Sequence, residues 1–454
     1  MKQDKIHDAL DLLDDDMVEA VDKLRTKRRA KRKNLRWVGM AACICAAVLA
    51  VFVPLMYGMP HAVAAEDLMK GVTANPVAEV GDLKENAAAV TDFAVRLFQN
   101  SMTEGESTLV SPLSVLCALA MTANGAKGET LTQMEETLGL NVDTLNSWLH
   151  TYVNGLPQAK TAKLNLANSI WFTEDESFTV EREFLQTNAD YYGADIYSAP
   201  FNDRTLKDIN NWVSDHTDGM IPEILSELPE ETAMVLINAL AFDAEWQNIY
   251  KETQVRDRTF FTEDGKPRKV DMMHCIEHTY LEDELATGFI KYYKGGDYAF
   301  VALLPNVGVG VADYAASLTG EGLQKILGSA SQEKVITVMP KFETETSLEL
   351  SEVLQTMGMT DAFNKWGAAD FSGIGTYGGE ELYIDKVFHK TFITVDEKGT
   401  KAGAATVVEM VPESAAPSQQ DPKEVILDRP FLYLLIDCKT NTPFFLGSMM
   451  DPTI

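Results

Sequence analysis

Disulfide bonds have little to work with in this chain of 454 residues. It holds five cysteines: Cys43 and Cys45 sit inside an apolar run, while Cys117, Cys275 and Cys438 are far apart, and no CxxC occurs. A disulfide framework is therefore excluded, and any folded part must rest on its core. No Asn-x-Ser/Thr sequon is present, which fits a bacterial source. There is no Gly-x-Ser-x-Gly elbow, and the seven histidines are scattered, so a serine hydrolase has no support. Cations are scarce beyond the N-terminus: 28 Lys/Arg against 60 Asp/Glu follow residue 36, a net charge of −32. Such a surface repels phosphate backbones and argues against nucleic acid as a partner.

What is present begins with an amphipathic segment. Ile6, Leu10, Leu13, Met17, Val21 and Leu24 recur at spacings of three and four, and nine Lys/Arg follow between Lys23 and Arg36. Trp37 to Tyr57 is then 21 residues without a charge, enough for a helix to cross about 30 Å of hydrocarbon. The basic flank places the N-terminus in the cytoplasm and the rest outside. The organisation read from this is a cytoplasmic tail (1–36), a transmembrane helix or signal anchor (37–57), a linker (58–79) and one domain (80–454). The competing reading is secretion after cleavage near Ala64, because Ala62-Val63-Ala64-Ala65 offers small residues at cleavage spacing.

With 46% hydrophobic and 24% charged residues, the remainder can bury a large core. Helical and strand signals alternate irregularly, which predicts α+β structure rather than regular βαβ units. Leu109 to Met121 and Asn124-Gly125-Ala126 read as a capped apolar helix ended by Gly. Asn165 to Phe172 and Leu236 to Phe242 read as strands, the second nearly continuous in apolar residues, as buried strands are. Ile209 to Val213 reads as part of a helix. The one enzyme-like motif, His274-Cys275-Ile276-Glu277-His278, fits H-x-x-E-H. Its flanks read as strand or turn, where residues four apart lie about 13 Å from one another, so a surface hairpin is expected, with no metal and no cofactor.

The stretch from Asp396 to Phe431 carries two conflicting signals. From Thr400 to Met410 every second residue (Thr400, Ala402, Ala404, Thr406, Val408, Met410) is small or apolar, the period of a strand with one buried face. Gly403, Pro412, Pro417, Ser418 and Pro422 instead belong to an exposed loop. The segment reads as a loop able to become a strand.

These residues resemble the serpin family, in which a hinge of the type Glu-x-Gly-Thr-x-Ala-x-Ala-x-Thr precedes an exposed bait loop and a strand like Asp428-Arg429-Pro430-Phe431 follows it. Blocks at Leu109, Asn165, Ile209, Leu236, Val270, Met339, Ala369 and Phe444 extend the resemblance over about residues 80–454. It implies a single serpin domain of three β-sheets and eight to nine helices, monomeric and not an enzyme. The implied function is suicide inhibition of a serine or cysteine endopeptidase: the protease is acylated by the loop, and the cut hinge enters the main sheet as a new strand. The alternative is a non-inhibitory member acting as a binding or transport module. Val142 to Gly155 lacks Lys and Arg, so the polyanion site of some relatives is not expected here.

The resemblance also implies site residues. The hinge comprises Glu397, Gly399, Thr400, Ala402, Ala404, Ala405 and Thr406; Lys401, where inhibitory relatives usually have Glu, falls on the outward face. Ser111, Ser114, Asn238 and His389 match the polar cluster under the middle of the sheet, and Trp246, Lys341 and Glu397 match its top. A hinge of the family's usual length, counted from Glu397, ends at Glu413. The scissile bond is thus expected at Glu413-Ser414, with a glutamyl-specific target; Ala415 or Ala416 would suit an elastase-like pocket, and Met410 or Lys423 other classes.

Overall fold

The computed structural model describes residues 63–157, 162–175, 178–228, 233–377, 382–400 and 421–453. The expected membrane-spanning stretch 37–57 lies outside them, and no described helix is long and apolar enough to cross a membrane. Among the described residues are nine α-helices and three β-sheets of seven, nine and two strands, as the fold expectation requires.

The seven-stranded sheet runs in the order Glu66–Asp67, Asp195–Ala199, Ala162–Thr173, Met234–Glu245, Gly399–Thr400, Lys386–Val395, Phe342–Glu349. Its middle strand explains the nearly unbroken apolar run seen in the sequence. Val235, Ile237 and Ala239 point into one cluster, beneath Ile209, Trp212 and Val213 of the helix Asp203–His216. Met234, Leu236, Leu240 and Phe242 point into the main core on the other face, because side chains alternate along a strand. The covering helix starts where Asn202 accepts hydrogen bonds from the Arg204 and Thr205 N–H groups, the standard remedy for orphan donors at a helix start.

On the core face the helix Pro112–Ala123 is buried at every one of its positions. The sequence reading began this helix at Leu109, and the structure corrects that. Leu109 and Val110 belong to the strand Thr108–Val110, paired with Pro443–Met449, and the helix starts at Pro112. Proline lacks the N–H a helix interior needs but costs nothing in the first turn, so Pro112 fixes the boundary.

The nine-stranded sheet contains a second correction. His274 to His278 form no hairpin; they lie within the strand Pro267–Glu282, paired with Ser331–Pro340 from Met272 to Tyr280. The hairpin turn falls earlier, between Val255–Phe261 and Pro267. Val335 of the neighbouring strand pairs on one side with Glu277 and on the other with Lys423 of Lys423–Ile426, so the strand that follows residues 401–420 is zipped to this sheet.

Candidate functional site

Two strands of the seven-stranded sheet, Met234–Glu245 and Lys386–Val395, are parallel neighbours for half their length. They pair directly from Val235/Lys386 to Ala239/Lys390. Above that they part, and Gly399–Thr400 occupies the opening, pairing with Glu245 and Ala244 on one side and with Val395 on the other. Gly399 is required by this close approach: a Cβ there would stand 2.0 Å from the Ala244 carbonyl oxygen. Thr400 is fully buried, and its hydroxyl is hydrogen-bonded to Tyr293.

Just below the fork the structure brings Ser111, Ser114, Asn238 and His389 together. His389 and Asn238 are register partners on the two strands. The Ser111 N–H donates to His389 Nε2 at 2.9 Å. That nitrogen must therefore be bare, which leaves the ring proton on Nδ1 to donate to Asn238 Oδ1 at 2.8 Å. The Ser114 hydroxyl is within reach of both Asn238 Oδ1, at 3.0 Å, and the Ser111 carbonyl, at 3.1 Å. Burial lowers the imidazole pKa to about 3, so the ring is neutral at ordinary pH. The cluster is not saturated: Ser111 Oγ, Asn238 Nδ2 and the neighbouring Asn168 Oδ1 have no partner.

The top of the fork is built differently. Trp246, 1% exposed, donates its Nε1–H to the Asp396 carbonyl and its backbone N–H to that of Lys398, both at 2.8 Å, and stacks on Tyr293 with centroids 4.5 Å apart. The Tyr250 N–H donates to the Glu397 carbonyl at 2.8 Å. Asp396 Oδ1 accepts from the Lys398 and Gly399 N–H groups, which shapes the turn into the opening. Lys341 and Glu397 pair at 2.9 Å with about a third of each side chain exposed; their hydrogen bond raises the lysine pKa and lowers that of the carboxyl. At that exposure the pair contributes roughly 0–1 kcal/mol.

Of the remaining expected site residues, Ala402, Ala404, Ala405, Thr406, Met410, Glu413, Ser414, Ala415 and Ala416 lie outside the described residues. Lys423 opens a strand, with its ammonium 4.8 Å from the centre of the Tyr280 ring. Sequence reasoning passed over Thr391, whose hydroxyl donates to the Leu109 carbonyl at 2.9 Å, and Thr346, which accepts from the Leu109 N–H at 3.1 Å. Thr391 lies two residues after His389, and the structure places both on the buried face of Lys386–Val395.

Residues 88–452 match the family described as serpin (serine protease inhibitor). The chain belongs to the serpin family. An uncharacterised serpin-like protein of Thermococcus kodakarensis is 31% identical over 384 residues, covering 83% of this chain and 88% of that protein. Antithrombin-III of Mus musculus is 29% identical, over 82% of each. Among solved structures the thermophilic serpin tengpin in its native state is 44% identical, with a TM-score of 0.81, over 85% of this chain and 99% of tengpin; in its latent state the score is 0.73. Serpins are in general inhibitors of proteases rather than enzymes.

Proposed function

We propose that this serpin is a suicide-substrate inhibitor of serine endopeptidases that traps the acyl-enzyme by inserting its cut loop into the seven-stranded sheet. The observation that carries this reading is the fork itself: Gly399–Thr400 already stands between two strands that remain paired below it.

Extending that register states what insertion would do. Thr400 lies opposite Ala244 and Val395. Steps of two then set Ala402 against Phe242 and Ile393, Ala404 against Leu240 and Thr391, and Thr406 between Asn238 and His389. Val408 would follow against Leu236 and Val387. All these opposing side chains are buried, so the small and apolar set is the one that can enter. Thr406 would break the Asn238–His389 hydrogen bond by taking the space between the strands, and its hydroxyl offers both a donor and an acceptor to the groups it separates. A dozen new backbone hydrogen bonds at about 1 kcal/mol each would drive the change by on the order of 10 kcal/mol. An acyl-enzyme carried along would have its oxyanion site distorted, and loss of one donor there slows deacylation roughly 100- to 1000-fold.

Glu413-Ser414 is the bond we assign to the attack, with a glutamyl-specific protease as target and an elastase-like enzyme, cutting at Ala415 or Ala416, as the substitute. We place the domain outside a membrane on an uncleaved anchor formed by 37–57. Supporting this, Val63 and Ala65 pack on the Trp171 and Ile209 cluster and the Ala64 N–H donates to Asp208 at 3.0 Å, contacts that a cut near Ala64 would disrupt. Mixing residues 61–454 with glutamyl, elastase-like and trypsin-like proteases tests the reading. A covalent band on a denaturing gel and a released peptide starting at Ser414 are expected. Clean cleavage by every enzyme without a complex would shift the assignment to a binding or transport module.

A further inference from the structure

The two ends of the bait loop are rooted in different sheets, and one buried ion pair stands between the roots. Lys291, on the strand Ala286–Tyr292, is 1% exposed. Its ammonium lies 2.6 Å from Glu277 Oε1, donates to the Asn248 carbonyl at 3.2 Å, and sits 4.4 Å from the centre of the Tyr250 ring and 5.3 Å from that of Trp246. Glu277 is 7% exposed. A charge this deep is tolerated only when paired and hydrogen-bonded. Packing alone gives no reason for a lysine here, since an apolar side chain at a strand position would fill the same space.

Each partner contacts a residue that holds a loop root. Trp246 and Tyr250, the rings that flank the ammonium, are the residues whose N–H groups hold the Lys398 and Glu397 carbonyls; Asn248, between them, accepts from the ammonium. Glu277 lies in one row with Val335 and Lys423, where the loop returns. The pair thus joins the segment that holds the start of the loop to the sheet that holds its end.

We infer that Lys291 is a positioning residue: with Glu277 it locks the 246–250 segment against the nine-stranded sheet, so that the bait between Lys398 and Lys423 is presented at a fixed span. This rests on the inhibitory reading for its purpose, but not for its geometry. A fixed span favours attack in one register and keeps the hinge aligned with the fork, so that insertion outruns hydrolysis of the acyl-enzyme. Loosening it diverts more molecules down the substrate route.

The test compares Lys291→Met/Glu277→Leu with the wild type. Both charges are removed at similar volume, so the thermal midpoint should stay within a few degrees of the wild type. Hydrogen exchange at the Trp246 and Tyr250 amides should quicken by about tenfold, and about threefold more inhibitor should be consumed per complex formed. A purely structural pair predicts the opposite pattern: once the charges are gone together, stability, exchange and stoichiometry all return to wild-type values, and that result overturns the proposal. If the double variant does not fold, Glu277→Gln, which keeps shape and an acceptor, is read instead: exchange at the same two amides about threefold faster is expected, and no change overturns it. Should the wild type form no complex with any protease, the inhibitory reading fails, while the exchange measurement still decides whether the pair holds the loop root.

Discussion

The two halves of one strand pair show opposite ways of keeping a sheet closed. Below the fork, Met234–Glu245 and Lys386–Val395 are zipped directly, over a buried cluster in which His389 and Asn238 are each at most 1% exposed. Above it, the strands are held apart by Gly399–Thr400, and what secures that segment is a set of backbone carbonyl contacts and a half-wet Lys341–Glu397 pair. The buried half gains strength because its hydrogen bonds have no water to compete with them. It carries a liability for the same reason: Ser111 Oγ and Asn238 Nδ2 are unpaired, and a buried unmade bond costs about 1–3 kcal/mol. The unpaired polar atoms sit in the half that the proposed insertion would open, and the half-exposed Lys341–Glu397 pair above it is a latch of little energetic weight.

That contrast can be broken most severely at Ala404. Its register neighbours in the proposed inserted state, Leu240 and Thr391, are both fully buried. Ala404→Arg would drive a charge into the core at a cost of several kcal/mol. Complex formation should disappear while cleavage of the loop continues, read on a denaturing gel; a surviving covalent band would show that the lower half does not open by this route.

Acid probes the buried half through His389. The ordinary imidazole pKa of 6.5 falls to about 3 in the folded protein through burial. The unfolded chain therefore binds the proton first: the contribution of His389 is complete above pH 6.5 and is lost as pH falls towards 3, by on the order of 5 kcal/mol in total. The denaturant midpoint should fall less between pH 7 and pH 4 for His389→Gln than for the wild type. Identical pH slopes would remove His389 from the lock.

A smaller loss is expected from Asn238→Ala, which leaves the His389 Nδ1–H without an acceptor and should lower stability by about 1–3 kcal/mol, measured by thermal or chemical unfolding at pH 7. At the latch, Lys341→Gln should cost less than about 1 kcal/mol, yet speed hydrogen exchange from Asp396 to Thr400 by about twofold to threefold. If it destabilised the protein as much as Asn238→Ala, the distinction between lock and latch would collapse.

Several of these features could be read from the chain. The period of two from Thr400 onward predicts an inward face, and Thr400, at the start of that set, is buried. The apolar run at Leu236 is a strand covered on both faces. Other features could not. A helix and a strand starting at Leu109 look alike over a few apolar residues, and only Pro112 breaks the tie. The flanks of His274 to His278 read equally as strand or turn, and pairing with Ser331–Pro340, more than fifty residues away, decides for the strand. Lys291 and Glu277 carried no local signal, since their meaning lies entirely in facing one another.

By itself the sequence determined what depends on near neighbours: the charged tail and apolar stretch before residue 58, the central helix, the alternation of the hinge and the family motifs that mark its place. Only the tertiary structure decided where the sheet forks, which nitrogen of His389 is bare, and that a buried ammonium stands between the roots of the loop. A backbone-to-imidazole hydrogen bond joins Ser111 and His389, 278 positions apart, and burial, which sets both the imidazole's charge and the pairing of Lys291, exists only after those distant segments have met.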